Sequence, residues 1–96
     1  YVKERQSFIN DYKKNKTCLD CGGKFPPVAM DFDHKEGEIK IASISRMVNR
    51  NASNFEKIQR EMDKCDLICA NCHRIRTYAR IQKRKAAIAN VVKALV

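Results

Sequence analysis

What this 96-residue chain does without narrows its reading before any motif is considered. No stretch approaches the roughly 20 apolar residues of a spanning helix, which argues against a membrane protein. Its opening segment, "YVKERQSFINDYKKNK", has no apolar core of the kind a secretory leader carries. A soluble, reducing, cytoplasmic setting is therefore expected, and free or metal-bound thiols are expected over disulfides. Repeats and low-complexity tracts are missing, so a single small domain is expected. No acidic residue follows Asp66, and the last 30 residues carry seven Lys or Arg. A segment of one sign repels itself, and a polyanion such as nucleic acid would relieve that repulsion. Glycine and proline are also absent after Ala70, so nothing interrupts a long helix to the C-terminus.

A domain of this length buries a modest share of its surface and often needs a cross-link. Five cysteines can supply one. Cys18 and Cys21 form one Cys-x-x-Cys pair and Cys69 and Cys72 a second. Each pair brings two sulfurs to one ion from a single turn of backbone, and four thiolates suit tetrahedral zinc. Two disulfides or a redox-active pair are the competing readings, but a redox pair has no need of a second Cys-x-x-Cys. Cys65 is left over and reads as a buried apolar thiol.

Hydrophobic spacing suggests an N-terminal helix over 1–15, with Val2, Phe8, Ile9 and Tyr12 on a loose helical stripe. "CGG" after Thr17 reads as a tight knuckle with glycines at positive φ. Beyond Pro26 and Pro27, Val28, Met30 and Phe32 alternate with Ala29, Asp31 and Asp33, a strand with one buried face. A short helix is expected over Ile44 to Val48. Ser53 and Glu56 have capping-box spacing, with Phe55, Ile58 and Met62 continuing a helix to about Lys64. "CDLIC" is then a second strand, followed by the long basic helix from Ala70. Ile75, Tyr78 and Ala79 read as its core face. Farther along, Ile81, Ile88, Val92 and Leu95 form a stripe that could pack on the N-terminal helix or on a second copy.

The chemistry concentrates in "AMDFDHK" at 29–35, where two aspartates precede one of only two histidines. Buried charges must be paired or coordinate something. A zinc joining residues 18 and 72 would bring this strand end toward His73, the residue directly after the last cysteine. One carboxylate, Asp33, and one imidazole, His73, can hold a divalent cation with water positions left open. Asp33 and His34 are neighbours and would point apart on a regular strand, so the strand is expected to end or distort there. Asp31 shares a face with Asp33, where it could assist the ion or simply meet solvent.

With these residues in place, "CLDCGGKFPPVAMDFDHK" and "CDLICANCHRIRT" resemble the two halves of the HNH nucleases, specifically the zinc-bound branch of this ββα-metal superfamily found in bacteria and phages. The resemblance covers about Thr17 to Thr77. It implies an α+β fold: a small ββα-metal domain stapled by Cys18, Cys21, Cys69 and Cys72. Residues 17–77 would form its core, with a helical insertion at 36–64 and a helical extension over 78–96. It further implies a metal-dependent DNA endonuclease, with His34 as general base, Asp33 and His73 holding one Mg²⁺, Mn²⁺ or Ni²⁺, and 5′-phosphate and 3′-hydroxyl products. The family's middle asparagine, which orients the catalytic histidine, has no counterpart here, because Lys64, Cys65 and Asp66 stand where it should fall.

Arg76, Arg80 and Arg84 follow His73 at spacings that share one helical face, and Arg74, Lys83 and Lys85 widen the basic surface. Arg74, Arg76, Arg80, Lys83 and Arg84 are therefore the candidate contacts to DNA phosphates. Two rivals are a zinc-stapled DNA-binding module without catalysis and a protein-interaction zinc domain, for which the basic tail is a poor recommendation.

Overall fold

The computed structural model describes residues 2–49 and 54–95. Its elements run α1 (Val2–Lys13), a 3₁₀ turn (Pro27–Ala29), β1 (Met30–His34), α2 (Ile44–Val48), α3 (Phe55–Met62), β2 (Cys65–Cys69) and α4 (Ala70–Leu95). The result is a small α+β fold with four α-helices and one two-stranded antiparallel sheet. β1 and β2 pair in a continuous register from Met30 opposite Cys69 to His34 opposite Cys65. No helix is long and apolar enough to cross a membrane among the described residues.

Two small cores flank this sheet. Ile9, Ala42, Ile44, Met47, Val48, Ile58 and Met62 form the first, gathering α1, α2 and α3, with Phe8, Tyr12 and Phe32 packed against it. The second is Cys18, Met30, Ile68, Cys69 and Cys72, with Leu67 alongside. It holds three thiols among five side chains, so little of it is hydrocarbon.

Local chemistry explains the boundaries. Pro26 and Pro27 bend the chain into the 3₁₀ turn, so β1 starts two residues later than the alternation suggests and Val28 is exposed rather than inward. Asn54 caps α3, its side chain accepting from Lys57 N at 2.9 Å. The expected cap, Ser53, lies outside the described residues. α3 ends at Met62 because Lys64 already begins the pairing, with Lys35 N donating to its carbonyl at 2.9 Å. α4 runs unbroken for 26 residues, as a stretch free of Gly and Pro allows. Ile75 and Tyr78 on it are 60% and 64% exposed, and Ala79 is exposed too. The expectation that they form core is thus corrected: only the first turns of α4 lie on the sheet, and Cys72 is its one buried residue among those described. Ile81, Ile88, Val92 and Leu95 are exposed as well, so the stripe is not packed on α1.

Candidate metal centre and adjoining cleft

The knuckle is built from backbone hydrogen bonds. Cys18 N donates to Gly23 O at 2.8 Å and Gly22 N to Cys18 O at 2.9 Å, and Thr17 bridges to Lys24. Gly22 holds φ at 72°, where a side chain would be strained, so the turn needs this glycine. It returns Cys21 beside Cys18. The second pair sits where β2 passes into α4, and Leu19 N donates to Leu67 O at 3.1 Å to tie knuckle to strand.

The four sulfurs of Cys18, Cys21, Cys69 and Cys72 lie within 4.8 Å of one another. Sulfurs bound to one zinc at about 2.3 Å stand roughly 3.8 Å apart in a tetrahedron, and Cys21 and Cys69 are already at 4.0 Å. Backbone N–H groups of Cys21 and Cys72 point at the sulfurs of Cys18 and Cys69 at 3.5 and 3.4 Å. Burial opposes ionisation of Cys18, yet hydrogen bonds from the backbone bring its thiol down to about 6. This donor set fits a structural metal such as zinc, and it is the one compact group of metal-binding side chains among the described residues. Cys65 stands apart from it. It is half-buried and not a bare apolar thiol, since its Sγ donates to Glu61 O at 3.4 Å.

Because side chains alternate along β1, Asp31 and Asp33 share the face turned to α4. There His73 Nδ1 pairs with Asp31 Oδ2 at 3.0 Å, and its Nε2 lies 3.7 Å from Asp33 Oδ1. That second separation is too long for a hydrogen bond. Two ligands of one ion at about 2.1 Å can stand up to about 4.2 Å apart, so Asp33 and His73 could hold a cation only by displacing Arg80 from Asp33 Oδ1. An ionised Asp31 is an acceptor only, which places the proton of a neutral His73 on Nδ1 and leaves the Nε2 lone pair facing Asp33.

Two arginines reach the same carboxylate. Arg80 binds Asp33 bidentately, Nη1 to Oδ1 at 2.8 Å and Nη2 to Oδ2 at 2.6 Å. Arg76 Nη1 bridges Asp33 Oδ2 at 2.8 Å and Asp66 Oδ2 at 3.0 Å. Asp33 and Asp66 are direct cross-strand partners, a like-charge pairing that is unfavourable until a cation is placed between them. Arg76 completes its fork on Asp20 of the knuckle, with both bonds at 2.6 Å. Hydrogen bonding from Arg80, against the opposing effect of burial and with help from Arg76, lowers the Asp33 carboxyl to about 2. The two guanidiniums that the sequence assigns to phosphates are thus both paired with carboxylates in this structure. Arg76 clamps knuckle, sheet and α4 together, and Arg80 is bound to Asp33. Arg74, Lys83 and Arg84 are exposed on α4.

The strand does not distort at Asp33 and His34. His34 keeps its register and turns to the opposite face, where its Nε2 meets Glu61 Oε2 at 2.7 Å. Even so, Asp31, Asp33, His34, His73 and Arg80 all line one cleft of about 600 Å³, together with Lys13, Lys40, Ser43 and Ser45. A second hollow of about 480 Å³ shares His34 and Arg80 and adds Lys83 and Arg84. Arg74 lines neither. Sequence reasoning missed Glu61, which lies 27 residues from His34 and carried no periodic or spacing signal. Compared with protein-family models, curated proteins and solved structures, the chain finds no match.

Proposed function

We propose that this chain is a metal-dependent DNA endonuclease of the HNH kind, stapled by zinc on Cys18, Cys21, Cys69 and Cys72. The observation that carries the reading is that Asp33, His34 and His73 line one cleft near the four thiols, together with the basic residues Lys13, Lys40 and Arg80. Asp33 and His73 are the residues that would hold a divalent ion such as Mg²⁺, Mn²⁺ or Ni²⁺. Such an ion, when bound, stabilises charge on the phosphate and on the departing 3′ oxygen. His34 takes the proton from the attacking water, the task for which an imidazole is suited near neutral pH. Asp31 holds His73 in the tautomer that directs Nε2 at Asp33. Lys13 and Lys40 in the cleft and Lys83 and Arg84 in the hollow that shares His34 and Arg80 with it supply positive charge for a phosphate backbone.

The test is a plasmid-nicking assay of zinc-loaded protein with Mg²⁺ or Mn²⁺, beside His34→Ala, with binding to the same DNA followed in parallel. Metal-dependent cleavage that His34→Ala abolishes while binding persists is the expected result, with 5′-phosphate ends on the product. One observation favours a second reading, a zinc-stapled DNA-binding module without catalysis: Arg76 and Arg80 already neutralise Asp33. That reading wins if neither protein cuts DNA in any form and both bind it equally.

A further inference from the structure

Glu61 is an unusual residue for a core position. It is 2% exposed, and a buried carboxylate must be paired or hydrogen-bonded to be tolerated. All of its partners are defined. Oε2 faces His34 Nε2 at 2.7 Å and also accepts from Ile41 N at 3.1 Å, while Oε1 accepts from Lys64 Nζ at 3.1 Å. Lys64 is itself fixed, donating to Ile39 O at 3.0 Å. Two fixed donors thus aim one carboxylate at one ring nitrogen. Burial raises the Glu61 pKa, but the bonds from His34, Lys64 and Ile41 outweigh it and keep the carboxyl ionised below its ordinary range.

An ionised carboxylate can only accept, so the nitrogen facing it must carry the hydrogen. A neutral imidazole has one protonated nitrogen, and the other then holds the lone pair. We infer that Glu61 is the positioning residue of His34: it fixes the ring with Nε2 protonated and leaves Nδ1 as the nitrogen that accepts the water proton. The role corresponds to the orienting asparagine that the strand region lacks, filled here from α3 within the segment between the two strands. This inference rests on the endonuclease reading for its catalytic consequence, but the ring's protonation pattern can be read without any cleavage.

Two variants separate positioning from folding. Glu61→Gln retains an oxygen able to accept from Nε2–H, whereas Glu61→Met keeps a similar length of side chain and offers no strong acceptor. The measurements are long-range ¹H–¹⁵N NMR of the imidazoles at pH 8 on zinc-loaded protein, with His34 assigned from the His34→Ala spectrum, and steady-state cleavage kinetics. Wild type is expected to show Nε2 protonated and Nδ1 bare. Glu61→Gln should preserve that pattern and stay within about fivefold of wild-type kcat. Glu61→Met should mix the tautomers and lower kcat by about 100-fold, the low end of what a positioned general base contributes, with KM for DNA unchanged. If Glu61→Met unfolds the chain, the wild-type tautomer and the Gln variant still decide. A wild-type His34 protonated at Nδ1, or a folded Glu61→Met that cuts at the wild-type rate, overturns the inference. A wild-type protein that cuts no DNA overturns the endonuclease reading and with it the catalytic role of Glu61.

Discussion

Replacing Cys72 by Ser removes one sulfur from the knuckle cluster at almost no change in volume, so the loss it causes reports ligation and not a cavity. The surrounding core contains only two fully buried carbon side chains, Met30 and Ile68, each at 0% exposure. Burying them is worth about 1.5–3 kcal/mol apiece. Ordering the backbone of the knuckle, residues 17–24, costs about 1–2 kcal/mol per residue, or about 8–16 kcal/mol in all. Hydrocarbon burial alone cannot hold this half of the molecule. Zinc on four thiolates supplies an apparent 10–16 kcal/mol in small zinc modules, which is as large as the whole stability of an ordinary domain. Cys72→Ser is therefore expected to lose its zinc equivalent and at least about 3 kcal/mol of stability in urea. The assay pairs a chromophoric chelator for zinc content with circular dichroism for unfolding. Cys65→Ser is the control: Cys65 lies outside the cluster, a serine hydroxyl can still donate to Glu61 O, and a change within about 1 kcal/mol is expected. A Cys72→Ser protein that binds one zinc and unfolds with the wild type would refute this account.

Two other predictions concern single groups. The Asp33 carboxyl is held at about 2 by Arg80, with burial opposing and Arg76 assisting, against an ordinary 3.8. A depressed carboxylate contributes stability that is present above its ordinary value and lost as pH falls through the lowered one, so at pH 7 about 2 kcal/mol is in place. Asp33→Asn should lose roughly that amount at pH 7 in urea unfolding, and an equally stable variant would show the Arg80 and Arg76 pairs to be idle. Burial pushes the Cys65 thiol up to about 11. At pH 7.5 its thiolate fraction is then roughly three in ten thousand, so mass spectrometry of zinc-loaded protein after iodoacetamide should find Cys65 unmodified long after a free cysteine has reacted; rapid labelling there would contradict the half-buried, hydrogen-bonded thiol.

Much of this architecture is legible in the residues themselves, and the places where it is not share a cause. Paired cysteines, a Gly-Gly turn and an unbroken basic run report on their own neighbourhoods, and the knuckle, β2 and α4 follow from them directly. Ile44–Val48 is also helical as its residues suggest. What could not be read is set by distant groups. Ile75 and Tyr78 have helical spacing for a core, but among the described residues no element covers them, and they are exposed. Arg76 and Arg80 look like a phosphate-binding row, and nothing in their spacing shows that the fold also sets Asp20, Asp33 and Asp66 within reach of them. Glu61 sits on an amphipathic helix at a position where burial alone would favour an apolar residue; only the arrival of His34 explains it.

The long excursion between β1 and β2 has a further implication. Two adjacent strands joined by thirty residues are held in register by their own ladder and by the thiols at one end, so the ladder does not depend on a tight turn to align it. Loop-closure entropy grows only as the logarithm of length, about 0.6 kcal/mol for each doubling. Closing the excursion therefore costs little, and what fixes it is packing: Ala42, Ile44, Met47, Val48, Ile58 and Met62 within it make up most of the first core. What it cannot do freely is rotate α3, because a shift of one residue swings Glu61 by about 100° away from His34. Added length would be tolerated only away from those buried positions, and at them the phase is fixed.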